Sequence, residues 1–130
     1  MRKNHKYRIL VIDDDKIFRD TVSAVLKQAG FRIMEAVNGN EGLIICSENE
    51  IDIVITDIVM PDKEGIETIV ELRNKYPEVK IIAMSGYPDL YLDSATTFGA
   101  DRIIKKPFRN SEIISIVKEL NAIEARCCNE

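Results

Sequence analysis

Residues 51–65 read IDIVITDIVMPDKEG. Ile51 and the run Ile53, Val54, Ile55 and Thr56 lead into a carboxylate, Asp57, and Met60-Pro61 ends the apolar stretch shortly after. Apolar and β-branched residues without polar alternation mark a strand buried on both faces, as strands of parallel sheets are. Open α/β sheets bind ligands in the crevice outside the carboxyl ends of their strands, so an acid at that point sits in the site. Asp57 is therefore expected to be a reactive carboxylate at the mouth of a parallel sheet.

Upstream, residues 7–12 (YRILVI) form a first strand ending at Asp13-Asp14-Asp15. Residues 16–29 follow as a helix with Phe18, Val22, Val25, Leu26 and Ala29 on one face and Gly30 closing it. A short second strand spans 31–35, Asn38-Gly39-Asn40 turns the chain, and a helix over 41–49 is expected to bury Leu43, Ile44 and Cys46. Downstream, a helix over 64–75 directs Ile66, Ile69 and Val70 inward and stops before Pro77. Residues 80–84 (KIIAM) make a fourth strand ending at Ser85-Gly86. Pro88 opens a helix to about Phe98, with Leu90, Tyr91, Ala95 and Phe98 on its apolar face and Gly99 as its cap. A fifth strand over 100–105 ends at Lys106-Pro107. The last helix, from Ser111 to about Ala125, packs Ile113, Ile114, Ile116, Val117 and Leu120. Five strands alternating with five helices make an α/β fold, a doubly wound five-stranded parallel sheet built from right-handed βαβ units. No Gly-x-Gly-x-x-Gly follows the first strand and no Walker-type loop is present, which disfavours dinucleotide and nucleotide triphosphate folds.

One hundred and thirty residues suit a single domain. Residues 1–6 form a short basic tail, 7–125 the domain, and 126–130 a C-terminal tail. The net charge of -4, without a compensating basic stripe, argues against nucleic-acid binding, which relies on Lys and Arg neutralising phosphates. The longest apolar runs are too short to span a bilayer, and the N-terminus lacks the apolar segment of a secretory signal, so a cytoplasmic protein without membrane insertion is expected. Cys46 reads as core filler, and Cys127-Cys128 before an acidic end makes neither a structural disulfide nor a good prenylation signal. His5, alone in the tail, receives no role.

The strand ends carry the chemistry. The first delivers Asp13 and Asp14, the third Asp57, the fourth Ser85 and the fifth Lys106, and in a parallel sheet all face one crevice. Two carboxylates ~4 Å apart repel by roughly 4 kcal/mol at an effective dielectric near 20, so the cluster requires a cation. Oxygen ligands without His or Cys select a hard divalent ion, best matched by Mg²⁺. A carboxylate flanked by a metal, an ammonium and a hydroxyl is suited to receive a phosphoryl group as nucleophile.

VIDDD at the first strand end, TDIVMPDKEG around Asp57, AMSG and KKPF together resemble the receiver domain of two-component response regulators, over residues 7 to about 125. The resemblance implies a CheY-like, flavodoxin-like sheet of strand order 2-1-3-4-5. It implies that Asp57 accepts a phosphoryl group from a sensor histidine kinase or phosphotransfer protein. Asp14 and Asp57 would ligate Mg²⁺ (or Mn²⁺) directly, Asp13 through water, and the backbone carbonyl of Val59 would complete the protein ligands. Ser85 would bond a phosphoryl oxygen, Lys106 would pair with the phosphate, and Lys106-Pro107 would be a cis peptide. Such a protein catalyses only its own phosphorylation and dephosphorylation, relays signal through a phosphorelay and switches a surface for a downstream protein. The helix beside the acids, over 16–20, would dock the kinase, and the face of the last two helices would carry the output.

The sequence departs from the family three residues before the lysine, where Ile103 replaces the usual Tyr or Phe. The usual aromatic switch cannot operate as such. Val59 and Tyr87 would tune the lifetime of the phosphoform. Asp15 is expected to cap the first helix rather than bind metal. Asp52 begins the same strand as Asp57 at the opposite end and is expected at the surface, as is Lys105. Asp62, Lys63 and Glu64 read as a turn and helix start. An alternative is a haloacid-dehalogenase-like phosphatase with Asp13-x-Asp15 as its acid pair, but the later acidic pair of that class is missing. A receiver excised from a larger regulator or hybrid kinase is a further alternative to a stand-alone protein.

Overall fold

The third strand is covered on both sides: Ile53, Val54, Ile55 and Thr56 are all fully buried. The computed structural model describes residues 7–58, 65–86, 95–96 and 98–129, those from 122 onward as backbone only. The elements run β1 (Arg8–Ile12), α1 (Lys16–Gln28), β2 (Arg32–Ala36), α2 (Gly39–Glu48), β3 (Ile53–Asp57), α3 (Gly65–Lys75), β4 (Lys80–Ser85), β5 (Arg102–Lys105) and α4 (Asn110–Asn129). The strands form one parallel sheet in the order β2-β1-β3-β4-β5. Among the described residues there are four helices rather than five; the helix expected from Pro88 falls mostly on residues 87–94, outside them, although Ala95, Thr96 and Phe98 are helical. No helix of the described residues is long and apolar enough to cross a membrane.

Strand alternation divides the core into two layers. Leu10, Ile12, Val54, Ile81 and Ala83 pack with Cys46 of α2 and with Ile69 and Leu72 of α3. Ile9, Val11, Ile53, Ile55, Ile82, Met84 and Ile104 pack with Val22 and Leu26 of α1 and with Ile113, Val117 and Leu120 of α4. The central strands β1, β3 and β4 therefore each supply apolar residues to both layers, which is why they read as continuous apolar runs.

Two expectations about side chains are corrected. Ile44 is exposed, because α2 lies on the sheet through Gly39, Gly42 and Cys46. A Cβ at Gly42 would come within 2.4 Å of Ile12 Cδ1, so the absence of a side chain permits this close approach and turns Ile44 outward. Asp52 is not at the surface: it is 9% exposed, and its Oδ2 accepts the Arg8 N–H at 2.9 Å. Its own N–H donates to Arg8 O and its carbonyl accepts from Lys80 N–H, so it ties β1, β3 and β4 together at the end away from Asp57.

At that same end the Arg73 guanidinium donates to the carbonyls of Pro77, Val79 and Gly99 and to Asp101 Oδ2, at 2.7 to 3.2 Å. Asp101 Oδ2 also accepts the Ile81 N–H. One side chain thus joins the end of α3, the approach to β4 and the entry to β5. On the outer face, Arg102 pairs with Glu119 of α4.

Burial pushes the Cys46 thiol up to about 11. The neutral thiol is favoured in the folded state, so its contribution to stability is intact below the ordinary thiol range and is lost as pH rises through about 11. In a Cys127→Ser, Cys128→Ser background, iodoacetamide at pH 8 should alkylate Cys46 about a hundredfold more slowly than an ordinary thiol, with full reactivity on unfolding; equal rates for folded and unfolded chain would contradict this burial.

Candidate acidic phosphoacceptor site

Strand register brings the site together. Ile12 pairs with Thr56, so the next residues, Asp13 just past β1 and Asp57 at the end of β3, lie side by side. Ser85 pairs with Lys105, and the N–H of Lys106 donates to the Ser85 carbonyl at 2.8 Å. Lys105 is exposed while Lys106 turns inward. The Lys106–Pro107 peptide is cis, as the sequence resemblance implied.

Lys106 Nζ lies 2.9 Å from Asp13 Oδ2 and 3.2 Å from Asp57 Oδ2. Asp13 is fully buried, the Asp57 side chain is 13% exposed and that of Lys106 is 20% exposed. Burial acts to lower the lysine's pKa, but the hydrogen bond to Asp13 and the charges of Asp57 and Asp13 outweigh it and hold the ammonium above its ordinary value. Lys106 is therefore a fixed positive charge across the physiological range.

Asp13 uses both oxygens: Oδ2 meets Lys106, and Oδ1 accepts the Asp15 N–H at 2.9 Å. Asp14 is exposed, and Asp15 caps α1 by accepting the Phe18 N–H at 3.2 Å. The three consecutive acids thus separate into a buried anchor, an outward carboxylate and a helix cap. This arrangement does not suit the phosphatase alternative, because Asp15 is occupied as the cap and Asp13 is buried with both oxygens bonded.

One carboxylate oxygen from each of Asp13, Asp14 and Asp57 lies within 4.8 Å of the others. Three carboxylates against one ammonium leave an uncompensated negative charge, and the donors are all hard oxygens. This set fits a divalent ion of the Mg²⁺ type. Ser85 is fully buried at the end of β4. Ile103, the residue in place of the usual aromatic, is 37% exposed on β5. His5, Val59, Tyr87 and the turn of Asp62, Lys63 and Glu64 lie outside the described residues.

Three contributors were not recognised in the sequence. Arg19 is buried and donates to Asp13 O at 2.7 Å and to Glu35 Oε1 at 2.9 Å, bracing the first strand end from behind. Phe18, read only as core, lies beneath the Lys106 ammonium. Gly65, the first residue of α3, donates its N–H to Ile58 O at 2.8 Å, and a Cβ there would lie 2.2 Å from Asp57 O and 2.4 Å from Ile58 Cα. The helix approaches the backbone that carries Asp57 as closely as only glycine allows. Gly65 was visible as the end of the 51–65 stretch; Arg19 carried no signal beyond being a charge in a helix.

A family model described as the response regulator receiver domain matches residues 9–118. Among solved structures, a CheY-like receiver domain protein from Methanospirillum hungatei JF-1 is 29% identical, with a TM-score of 0.88 over 94% of this chain and 99% of that one. The response regulator TrrA from Thermotoga maritima, in complex with Mg²⁺-BeF, is 35% identical with a TM-score of 0.81, covering 88% and 98% of the two chains. The receiver domain of NtrX from Brucella abortus is 26% identical, with a TM-score of 0.83 over 86% and 96%.

Because the atoms facing Gly65 are backbone, Gly65→Ala must displace either α3 or the end of β3. Overpacking of this kind costs about 1–3 kcal/mol. A thermal melt should show a Tm several degrees lower than wild type; an unchanged Tm would mean that the α3 start moves without affecting Asp57.

Proposed function

The chain belongs to the response regulator receiver domain family, and on that premise we propose that Asp57 is its phosphoacceptor, charged by a phosphohistidine on a sensor kinase or phosphotransfer protein. The observation that carries this assignment is the Lys106 ammonium held between Asp13 and Asp57, with Asp14 in reach of both acids. An Asp57 oxygen attacks phosphorus, the new O–P bond forms as the N–P bond breaks, and the departing imidazole takes its proton from solvent.

Lys106 pairs with the charge on the incoming phosphoryl oxygens, and the Ser85 hydroxyl donates to one of them. Asp14 and Asp57 would hold Mg²⁺, or Mn²⁺ in its place, directly and Asp13 through water; both Asp13 oxygens already accept protein donors, which supports its indirect role. The carbonyl of Val59 would complete the set. The bound cation supplies neutralising charge for the phosphoryl oxygens during transfer. The Mg²⁺-BeF complex of the 35%-identical TrrA supports this cofactor class.

The protein acts on no separate substrate and catalyses only its own phosphorylation and dephosphorylation. It is a cytoplasmic signalling protein that binds neither nucleic acid nor membrane. Kinase docks on the start of α1, and the output is a protein-binding surface on the helical face beside β5. Phosphorylation biases a two-state equilibrium, and moving it from 1:99 to 99:1 takes about 5.5 kcal/mol of differential stabilisation. With isoleucine at 103, an aromatic side chain cannot be the element that swings at that position.

Intact mass after incubation with acetyl phosphate should show one hydroxylamine-labile phosphoryl group, dependent on Mg²⁺ and absent in Asp57→Asn. Label that survives in Asp57→Asn would move the acceptor elsewhere. Mg²⁺ at a hundredfold excess over its dissociation constant should stabilise the unphosphorylated protein by about 2.7 kcal/mol. EDTA should reverse the rise in Tm, and Asp14→Asn should show little or none; an equal rise in that variant would remove Asp14 from the ligand set.

A further inference from the structure

Phe18 carries no charge and offers no ligand atom, yet it touches the cation of the site. The Lys106 ammonium sits 4.1 Å from the centroid of the Phe18 ring, over its face. The ring also meets Phe108 in a T-shaped contact, with centroids 5.6 Å apart and planes at 84°. Phe18 comes from the first turn of α1, Lys106 follows β5, and Phe108 precedes α4, so three elements meet around the Phe18 ring. The backbone beneath the ring is tied to the same acids: Phe18 N–H donates to Asp15 Oδ1, and Asp15 N–H donates to Asp13 Oδ1.

We infer that Phe18 is a positioning residue for phosphoryl transfer, its π face holding the Lys106 ammonium beside Asp57. The inference deepens the proposed reaction and rests on Lys106 as the phosphoryl-facing cation. The lysine's other two partners are carboxylates, and one of them, Asp57, is converted to an acyl phosphate as the reaction proceeds. During that conversion Asp13 is the one carboxylate partner that stays unchanged, because the phosphoryl oxygens with which the flexible stem's ammonium then pairs arrive with the donor. The ring quadrupole attracts the cation whatever the state of Asp57, and with the Lys106 side chain 20% exposed the contact is only partly screened by water. An aliphatic side chain at 18 would fill the same space without that attraction.

The test replaces Phe18 in the full chain by mono-, di- and trifluorophenylalanine, which weaken the negative potential of the ring face with little change of shape, and by leucine. Three quantities are measured: the rate of Asp57 phosphorylation by acetyl phosphate at saturating Mg²⁺, the proton shifts of the Lys106 ε-methylene without donor or metal, and Tm. The rate should fall stepwise with fluorination, while Tm stays constant. The trifluoro variant should be about fivefold slower, within the two- to thirtyfold range that a cation–π contact spans. The ε-methylene should be shifted upfield by the ring in wild type and should relax in Phe18→Leu. A flat rate across the series, or Phe18→Leu reacting at the wild-type rate, overturns the inference. Failure of wild type to label at Asp57 would instead overturn the phosphoacceptor reading. In that case the methylene shifts still decide the contact, since an unshifted wild-type methylene rules it out.

Discussion

The ammonium of Lys106 lies between two carboxylates that would otherwise repel one another, and the geometry of the strand ends depends on it. Asp13 is fully buried, and a buried carboxylate persists only where hydrogen bonds and an opposite charge replace its hydration. The Asp15 N–H satisfies one oxygen and Lys106 the other. Because the lysine follows the edge strand β5 while Asp13 follows β1 and Asp57 ends β3, this one contact spans the sheet from its middle to its edge. Loss of the cation would leave buried negative charge without compensation, a defect worth about 3–5 kcal/mol where such pairs are broken.

The sheet makes this convergence possible without any local sequence motif that unites it. Parallel strands end on the same side, and the register sets Asp13 level with Asp57 and Lys106 beside Ser85. Behind that edge, Arg19 braces the first strand end and Gly65 lets α3 close onto the third. The site therefore buries Asp13 within several bonds and is open at the exposed Asp14.

Much of this was legible because it followed from period and position. Continuous apolar runs identified β1, β3 and β4, and the acids, serine and lysine stood out as polar residues at their ends. Asp15 was recognised as a cap from its place one residue past the pair, and it caps α1. Where the reading failed, the cause was three-dimensional. Ile44 looked like core until the small residues Gly39, Gly42 and Cys46 proved to face the sheet. Asp52 looked solvated because nothing in sequence reveals that the Arg8 N–H, 44 positions away, needs an acceptor. Phe18 was assigned to the core by its apolar character, and its contact with Lys106 spans two elements far apart in the chain.

The guanidinium of Arg73 sits at the other end of the molecule and constrains which side chain that position can hold. Its three nitrogens reach three carbonyls and a carboxylate fixed by separate elements, a planar fork whose donors point in several directions at once. A Cβ at Gly99 would approach the Arg73 side chain to 3.2 Å, so the two positions are matched in shape as well as in bonding. Lysine, the usual evolutionary neighbour of arginine, would bring a single point charge to a place that asks for a flat multidentate donor. Replacing Arg73 would remove at one stroke the donors that meet the carbonyls before β4 and β5 and the Asp101 carboxylate.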